Sequence, residues 1–365
     1  MSGPPPSRSS RPAPAGSGPA PLDQHGRPLG VVRLSLTARC NLACPYCLPD
    51  GMEPPGLLSQ EQRLAVVEAC VGLGARRLRL TGGEPLLHAG IEALIAAASP
   101  LRRQGLAEIS LTSNGALLSA ARARALRGAG LDRITLSLDG TDGATVAAMA
   151  GLKGGAPAGE ALLAAVLAGL EHARAAGFDP AAGQLKLNAV IQRGRNDNQL
   201  LPLAALARER GVELRLIEYM DVGNRNGWRP EAVLSAAAMI ERIDARWPLE
   251  PLGRVRHGTA SRWRYRDGGG VVATVASVSA PFCGDCDRLR VTADGIAYTC
   301  LFAAPTSGLD LRPHLQPGAA PGALVGAIHQ LWRARADRWS EERQDAWRDG
   351  APLAPSHAEM AYLGG

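Results

Sequence analysis

The chain has 365 residues, enough for one large domain or two ordinary ones, and at 46% hydrophobic it can bury a sizeable core. No run approaches the roughly 18 apolar residues of a membrane span, and the first residues lack the apolar stretch of a secretory signal. A net charge of +6 suits an anionic substrate or a nucleic acid, but nearly all basic residues are Arg in an Ala-, Gly- and Leu-rich chain, so compositional bias explains the charge as well.

Residues 1–29 are rich in Pro, Ser, Gly and Ala without apolar periodicity and read as a disordered tail. From Val31 a rhythm begins. Short β-branched or Leu-rich runs occur at 31–37, 76–82, 108–114, 133–139, 185–192 and 213–220, and helical patterns lie between them. The first helical run, "SQEQRLAVVEACVGLG", opens on Ser59 as an N-cap, and several runs end in Gly. Cys70 falls inside this run and reads as an inert core residue. Six strands alternating with helices predict parallel strands joined by right-handed crossovers, in either a doubly wound sheet or a barrel. After residue 245 the pattern turns to β-hairpin material around a cysteine cluster, then a loop at 306–318 and one helical stretch over 323–350.

Buried parallel strands normally read as continuous apolar runs, and these do not. Side chains two residues apart share a face of a strand. One face carries Arg33, Ser35 and Thr37 on the first strand, then Arg77, Arg79 and Thr81 on the second. Ser110 and Thr112 follow, then Thr135, Ser137 and Asp139, then Lys186 and Asn188, then Arg215. Five cations would therefore point into the curve of one sheet. A packed barrel would bury that charge at high cost, whereas an open barrel holding a polyanion would not. The competing reading is an edge of the sheet in solvent, or cations paired with Asp and Glu.

Six of the seven cysteines form two clusters, Cys40/Cys44/Cys47 and Cys283/Cys286/Cys300. A secreted disulfide framework would spread them through a small domain, so the grouping favours a reducing, cytoplasmic setting. Three thiolates spaced C-x3-C-x2-C can hold a 4Fe–4S cluster by three irons, leaving the fourth for an exchangeable ligand. A structural zinc site wants a fourth ligand, and no His lies near residues 40–47. The second set, C-x2-C-x13-C, again gives three ligands. Zinc completed by His257 or His314 is its alternative.

The first cluster, with Tyr46 before its last Cys, resembles that of the radical S-adenosylmethionine (SAM) superfamily. There, SAM chelates the open iron through its methionyl amine and carboxylate. "TGGEP" (81–85) resembles the superfamily's SAM-amine loop, and "SLD" (137–139) its ribose-binding strand end. From residue 30 onward the chain resembles more narrowly the GTP 3′,8-cyclase family of molybdenum cofactor biosynthesis. The motifs are "RLSLTARCNLACPYC", "RLRLTGGEPLL", "LTSNG", "NAVIQRGRND", "IEYMDVGNRNGW", "FCGDCDRLR" and the terminal "GG".

This resemblance implies an incomplete (βα)6 TIM-like barrel over 30–245 and a C-terminal iron–sulfur domain over 246–365. It implies two 4Fe–4S clusters on Cys40, Cys44, Cys47 and on Cys283, Cys286, Cys300. It further implies reductive cleavage of SAM to a 5′-deoxyadenosyl radical, which takes the hydrogen from C3′ of GTP and gives 3′,8-cyclo-7,8-dihydro-GTP. SAM falls to Tyr46, Gly83, Ser137 and Met220. GTP falls to Arg33, Arg77, Arg79, Thr112, Lys186, Arg215, Arg288 and Arg290, with Arg76 a neighbour that competes with Arg77. The second cluster would bind guanine, and the tail Gly364–Gly365 would enter the site. The implied partners are cyclic pyranopterin monophosphate synthase, an electron donor such as flavodoxin or ferredoxin, and a second copy in a homodimer, without nucleic acid. A peptide-modifying radical SAM maturase and a zinc-dependent nucleic-acid-binding protein are the alternatives. Maturases commonly carry more C-terminal cysteines, and here the aromatics are too scattered for a base-stacking platform.

Overall fold

The computed structural model describes residues 20–49, 51–348 and 357–364. Six strands run parallel in sequence order: β1 (Val31–Ser35), β2 (Arg77–Thr81), β3 (Glu108–Ser113), β4 (Arg133–Ser137), β5 (Leu185–Ile191) and β6 (Glu213–Glu218). Between them lie α1 (Gln60–Gly72), α2 (Ile91–Ala98), α3 (Ala120–Ala129), α4 (Gly143–Ala150), α5 (Gly155–Ala175) and α6 (Leu200–Glu209). Ser59 caps α1 in a reciprocal box with Gln62, as its sequence position predicts.

Strand alternation divides the core from the chamber. Val32, Leu34, Leu78, Leu80, Ile109, Leu111, Ile134, Leu136, Leu214 and Leu216 are almost wholly buried in one apolar core with the helices. The opposite, polar face turns inward. Cys70 is fully buried in that core, as expected.

The C-terminal third continues the same sheet. After α7 (Ala236–Asp244) come β7 (Leu249–Arg254), β8 (Ser261–Tyr265) and β9 (Val271–Val275), an antiparallel meander whose last strand pairs parallel with β6. Then β10 (Arg288–Val291) pairs parallel with β1 at the other edge and leads antiparallel into β11 (Ile296–Tyr298) and β12 (Leu309–Asp310). The 246–365 region therefore extends the barrel's own sheet at both edges. Residues 276–287, which join β9 to β10, bridge the open side. The stretch read as one helix is two, α8 (Ala323–Ala334) and α9 (Trp339–Arg348), and α10 (Met360–Leu363) precedes the tail.

The expected 1–29 tail also needs correction. Residues 1–19 lie outside the described residues, but 20–29 are folded. Leu22 bridges Pro28, and Asp23 and Arg27 form a buried ion pair at 2.5 Å. Composition hid this hook because much of what holds it lies far along the chain: Arg335 pairs with Asp23 at 3.6 Å, and Arg27 donates to the carbonyls of Cys283 and Asp337. Among the described residues no helix is long and apolar enough to cross a membrane.

Candidate active site

The first cysteine loop leaves the C-terminal end of β1. Cys47 N and Leu48 N both donate to the Cys44 carbonyl at 2.9 Å, coiling the loop, and the Cys44 thiol feels the charges of both Cys40 and Cys47. Glu53 anchors the approach: it takes the hydroxyl of Thr37 and, at 2.8 Å, the backbone N–H of Ala38. The Asn114 amide lies 3.7 Å from the Cys40 sulfur and 2.8 Å from Asn41 Oδ1. Burial pushes the Cys40 and Cys44 thiols up and Cys47 to about 12. Buried thiols of this kind become thiolates when a metal group compensates the charge.

Around this loop stand the residues assigned to SAM. The Tyr46 hydroxyl donates to Asp139 Oδ2 at 2.6 Å, and burial lifts Asp139 to about 6. Ser137, the last residue of β4, lies beside Asn188 in the middle of β5. Gly82 and Gly83 let the loop after β2 press on the backbone of residues 37–39. A Cβ on Gly83 would stand 2.1 Å from the Arg39 carbonyl oxygen, and one on Gly82 2.4 Å from that of Thr37. Buried Glu84 then ties this loop to β3, accepting from Ser113 Oγ at 2.8 Å and Asn114 N at 2.7 Å. Gly83→Ala is therefore expected to cost about 1–3 kcal/mol through overpacking and to displace the cysteine loop. A thermal melt with SAM equilibrium dialysis checks this, and unchanged SAM affinity would refute it.

The register of the strands assembles the cations. Arg290, Arg33 and Arg79 lie side by side on β10, β1 and β2, with Arg288 and Arg77 flanking Val31 one step lower. Across the barrel Lys186 faces Glu213, and Asn188 faces Arg215. Arg33, Arg77, Arg79, Lys186, Arg215 and Arg288 all border a cavity of about 830 Å³, which reaches the N-terminal ends of the strands. Arg76 points outward and is exposed. Burial, then Arg290, Arg79 and Arg288, push the Arg33 guanidinium well below its ordinary range. Burial, Arg133 and Arg215 push Arg79 down to about 9, and burial with Arg288 pushes Arg290 to about 10. Arg290 Nη1 is buried without a hydrogen-bond partner among the described residues. So much mutually repelling positive charge is the signature of a polyanion site.

A second cavity of about 180 Å³ adjoins the first and is bordered by Arg33, Arg79, Thr112 and Met220 as well as Cys283, Cys286 and Cys300. The first triad reaches this region through Cys47. Met220, Cys47 and Cys300 pack on one apolar cluster with Val222, Phe302 and Met360. None of the cysteines is bridged. Burial raises the Cys283 thiol and lifts Cys300 to about 12. Cys286 is the exception: burial opposes it, but Arg288 and Arg335 draw its thiol down. Arg288 stands 5.1 Å over the Phe282 ring. Among the described residues no group of three His, Cys, Asp or Glu is gathered tightly enough for a single metal ion. Three soft sulfurs in each triad are a donor set that fits a cluster held through three irons.

The tail enters this chamber. Gly364, in left-handed backbone at φ 67°, turns its carbonyl to Arg33 Nη2 at 2.7 Å and to Thr81 Oγ1 at 3.3 Å. Gly365 lies outside the described residues. Sequence reasoning overlooked several neighbours. Arg133 and Glu213 share the inward face, two positions before Thr135 and Arg215, so the same alternation identifies them. Arg262 on β8, 3.0 Å from Glu213, and Asp287, 2.7 Å from Arg77, are placed by pairings that only the fold reveals.

Comparison with known proteins agrees with this arrangement. Residues 34–207 match the family model described as the Radical SAM superfamily, and 212–341 the one described as Molybdenum Cofactor Synthesis C. The models meet near 210 rather than at 245, so β6 falls in the second. Among solved structures, Streptococcus suis SuiB bound to S-adenosylmethionine has a TM-score of 0.58 at 13% identity, covering 88% of this chain and 76% of SuiB. SuiB bound to its precursor peptide SuiA has a TM-score of 0.59 at 13% identity, covering 93% and 77%. These establish the fold. Curated relatives go further. A GTP 3′,8-cyclase of Synechococcus sp. (strain CC9605) is 61% identical over 94% of this chain and 98% of its own. That of Xanthomonas campestris pv. campestris (strain B100) is 45% identical over 95% and 98%. With both triads, the glycine loop and the cation rows in place, the chain belongs to the GTP 3′,8-cyclase family of radical SAM enzymes.

Proposed function

We propose that the barrel interior is where SAM and GTP meet, and that the chain performs the first step of molybdenum cofactor biosynthesis, converting GTP to 3′,8-cyclo-7,8-dihydro-GTP. The observation that carries this reading is the set of cations lining two adjoining cavities, the smaller of which Cys283, Cys286 and Cys300 also border. Cys40, Cys44 and Cys47 would hold one 4Fe–4S cluster, and Cys283, Cys286 and Cys300 the other. Bound there, the first cluster with SAM supplies hydrogen abstraction at C3′, and the second offers an open iron to guanine.

The protein's own residues position and shield. Tyr46 and Asp139 stiffen the cysteine loop, Gly83 brings its backbone close to the SAM amine, and Ser137 and Met220 border the nucleoside. Arg33, Arg79, Arg290 and Arg288 flank the guanine end, with Thr112 beside them. Arg77, Lys186 and Arg215 take the triphosphate in the larger cavity, where guanidinium forks match phosphate oxygens. Gly364 closes the chamber against water beside Arg33. The division at 245/246 then leaves the ligands of the first cluster in one part and those of the second in the other.

For the wider setting we propose a cytoplasmic enzyme, since thiolate clusters need reducing surroundings. It would act as a homodimer, be reduced by a flavodoxin- or ferredoxin-type donor, and pass its product to cyclic pyranopterin monophosphate synthase. The test is anaerobic: reconstitute with iron and sulfide, add SAM and dithionite, and quantify 5′-deoxyadenosine with and without GTP. Strong dependence on GTP, with GTP consumed, is expected. SAM cleavage indifferent to GTP would overturn the substrate assignment.

A further inference from the structure

Arg335 stands where α8 ends and α9 has not begun, with only 1% of its side chain exposed. It leaves the helix to reach the second cysteine loop. Its Nη1 donates to the Cys286 carbonyl at 2.7 Å and its Nη2 to the Cys286 sulfur at 3.1 Å. Asp337 holds the same guanidinium at 3.1 Å, Asp23 lies 3.6 Å away, and the Trp332 ring lies 4.7 Å beneath it. Asp23 is shared with Arg27, whose Nη1 donates to the carbonyls of Cys283 at 2.8 Å and Asp337 at 3.0 Å. The Trp332 indole closes the circuit on the Arg27 carbonyl at 3.0 Å. The N-terminal hook and the helix break thus form one buried brace under Cys283–Cys286, where Arg335 and Asp337 also border the smaller cavity.

A brace for the backbone alone would need only the carbonyl contacts. The fork of Arg335 goes further and places an N–H on the sulfur itself. A hydrogen bond and a positive charge at a ligating thiolate withdraw electron density, and both raise the reduction potential of an iron–sulfur cluster. We infer that Arg335 sets the potential of the C-terminal cluster through Cys286, as a positioning and tuning residue that does not touch substrate. This rests on the reading of Cys283, Cys286 and Cys300 as cluster ligands. Its consequence is a cluster kept easier to reduce at its Cys286 corner.

The experiment uses the full chain carrying Cys40→Ala, Cys44→Ala and Cys47→Ala, so that one cluster remains, reconstituted anaerobically. Iron and sulfide are counted, and the midpoint potential is read by dye-mediated titration with electron paramagnetic resonance. A background protein that takes up no iron would refute the ligand reading itself. Given about four irons per chain, Arg335→Gln is expected to lower the midpoint potential clearly, and Arg335→Lys, which keeps the charge but not the fork, to lower it less. An unchanged potential in whichever variant retains a full cluster overturns the inference. Loss of the cluster from both variants would make Arg335 a scaffold for the loop, and overturns it equally.

Discussion

Truncation after Leu363 is expected to lower turnover by on the order of 100-fold while iron and sulfide content stay unchanged. The tail is held by built contacts. Asn224 exchanges hydrogen bonds with the His357 backbone at 2.7 and 2.9 Å and donates its own N–H to Glu359 at 3.1 Å, so α10 is delivered to one place. From there the Gly364 carbonyl meets Arg33 at 2.7 Å. Arg33 is central among the cations, and this carbonyl is a neutral acceptor that fixes its guanidinium without cancelling its charge. Removing it frees Arg33 to pair or swing, a displacement of about an ångström at a site where alignment decides rate. Gly364→Ala tests the same point at full length. Its Cβ would lie 2.5 Å from both Ser35 Oγ and Thr81 Cγ2, in a backbone region that disfavours a side chain. Product formation by chromatography, with metal content measured in parallel, decides the matter. A truncated protein with unaltered turnover and full clusters would refute the role.

Much of this was legible from local pattern. All six barrel strands appear where alternating β-rich runs place them, and the polar parity that names Arg33, Arg79, Lys186 and Arg215 turns those residues onto a shared chamber. The cysteine spacings isolate both triads because the chemistry of a three-iron attachment is written in a few adjacent residues. What stayed hidden depends on distant pairing. That β9 and β10 border β6 and β1 follows from parallel pairing at the two edges of the barrel sheet, and no local periodicity encodes it. The helix break at Arg335–Arg338 carries neither Pro nor Gly. The gain comes from the Cys286 loop and Asp23, both far away in sequence. The hook at 20–29 was concealed for the same reason.

Glu213→Gln carries the largest expected loss of stability. One carboxylate, 5% exposed, serves three cations: Lys186 Nζ and Arg215 Nε at 2.8 Å on Oε1, and Arg262 Nη2 at 3.0 Å from Oε2. Burial would raise its pKa, but Arg215 and Lys186 overcome that and hold it at about 2. Because the folded value lies below the ordinary one near 4.5, this stabilisation is complete above about pH 4.5 and is lost as the pH falls towards 2. At neutral pH the Gln variant forfeits all of it and leaves buried cations uncompensated, a cost of about 3–5 kcal/mol. GTP should restore part of that stability, since its triphosphate brings negative charge to the same cations. Lys186 obeys the opposite sign. Burial and Arg215 push its ammonium down to about 8, although Glu213 works against them. Below pH 8 the folded enzyme already carries the charge that a polyanion needs. Above pH 8 binding must first take up a proton, so the KM for GTP is expected to rise there by at most about tenfold per pH unit. Lys186→Arg should flatten that rise, because a guanidinium keeps its proton throughout. A KM that stays level from pH 7 to 9 in the unaltered enzyme, or climbs equally in Lys186→Arg, would show that this ammonium does not meet the triphosphate. An unchanged melting temperature in Glu213→Gln would show that the three cations are held apart by something other than their shared carboxylate.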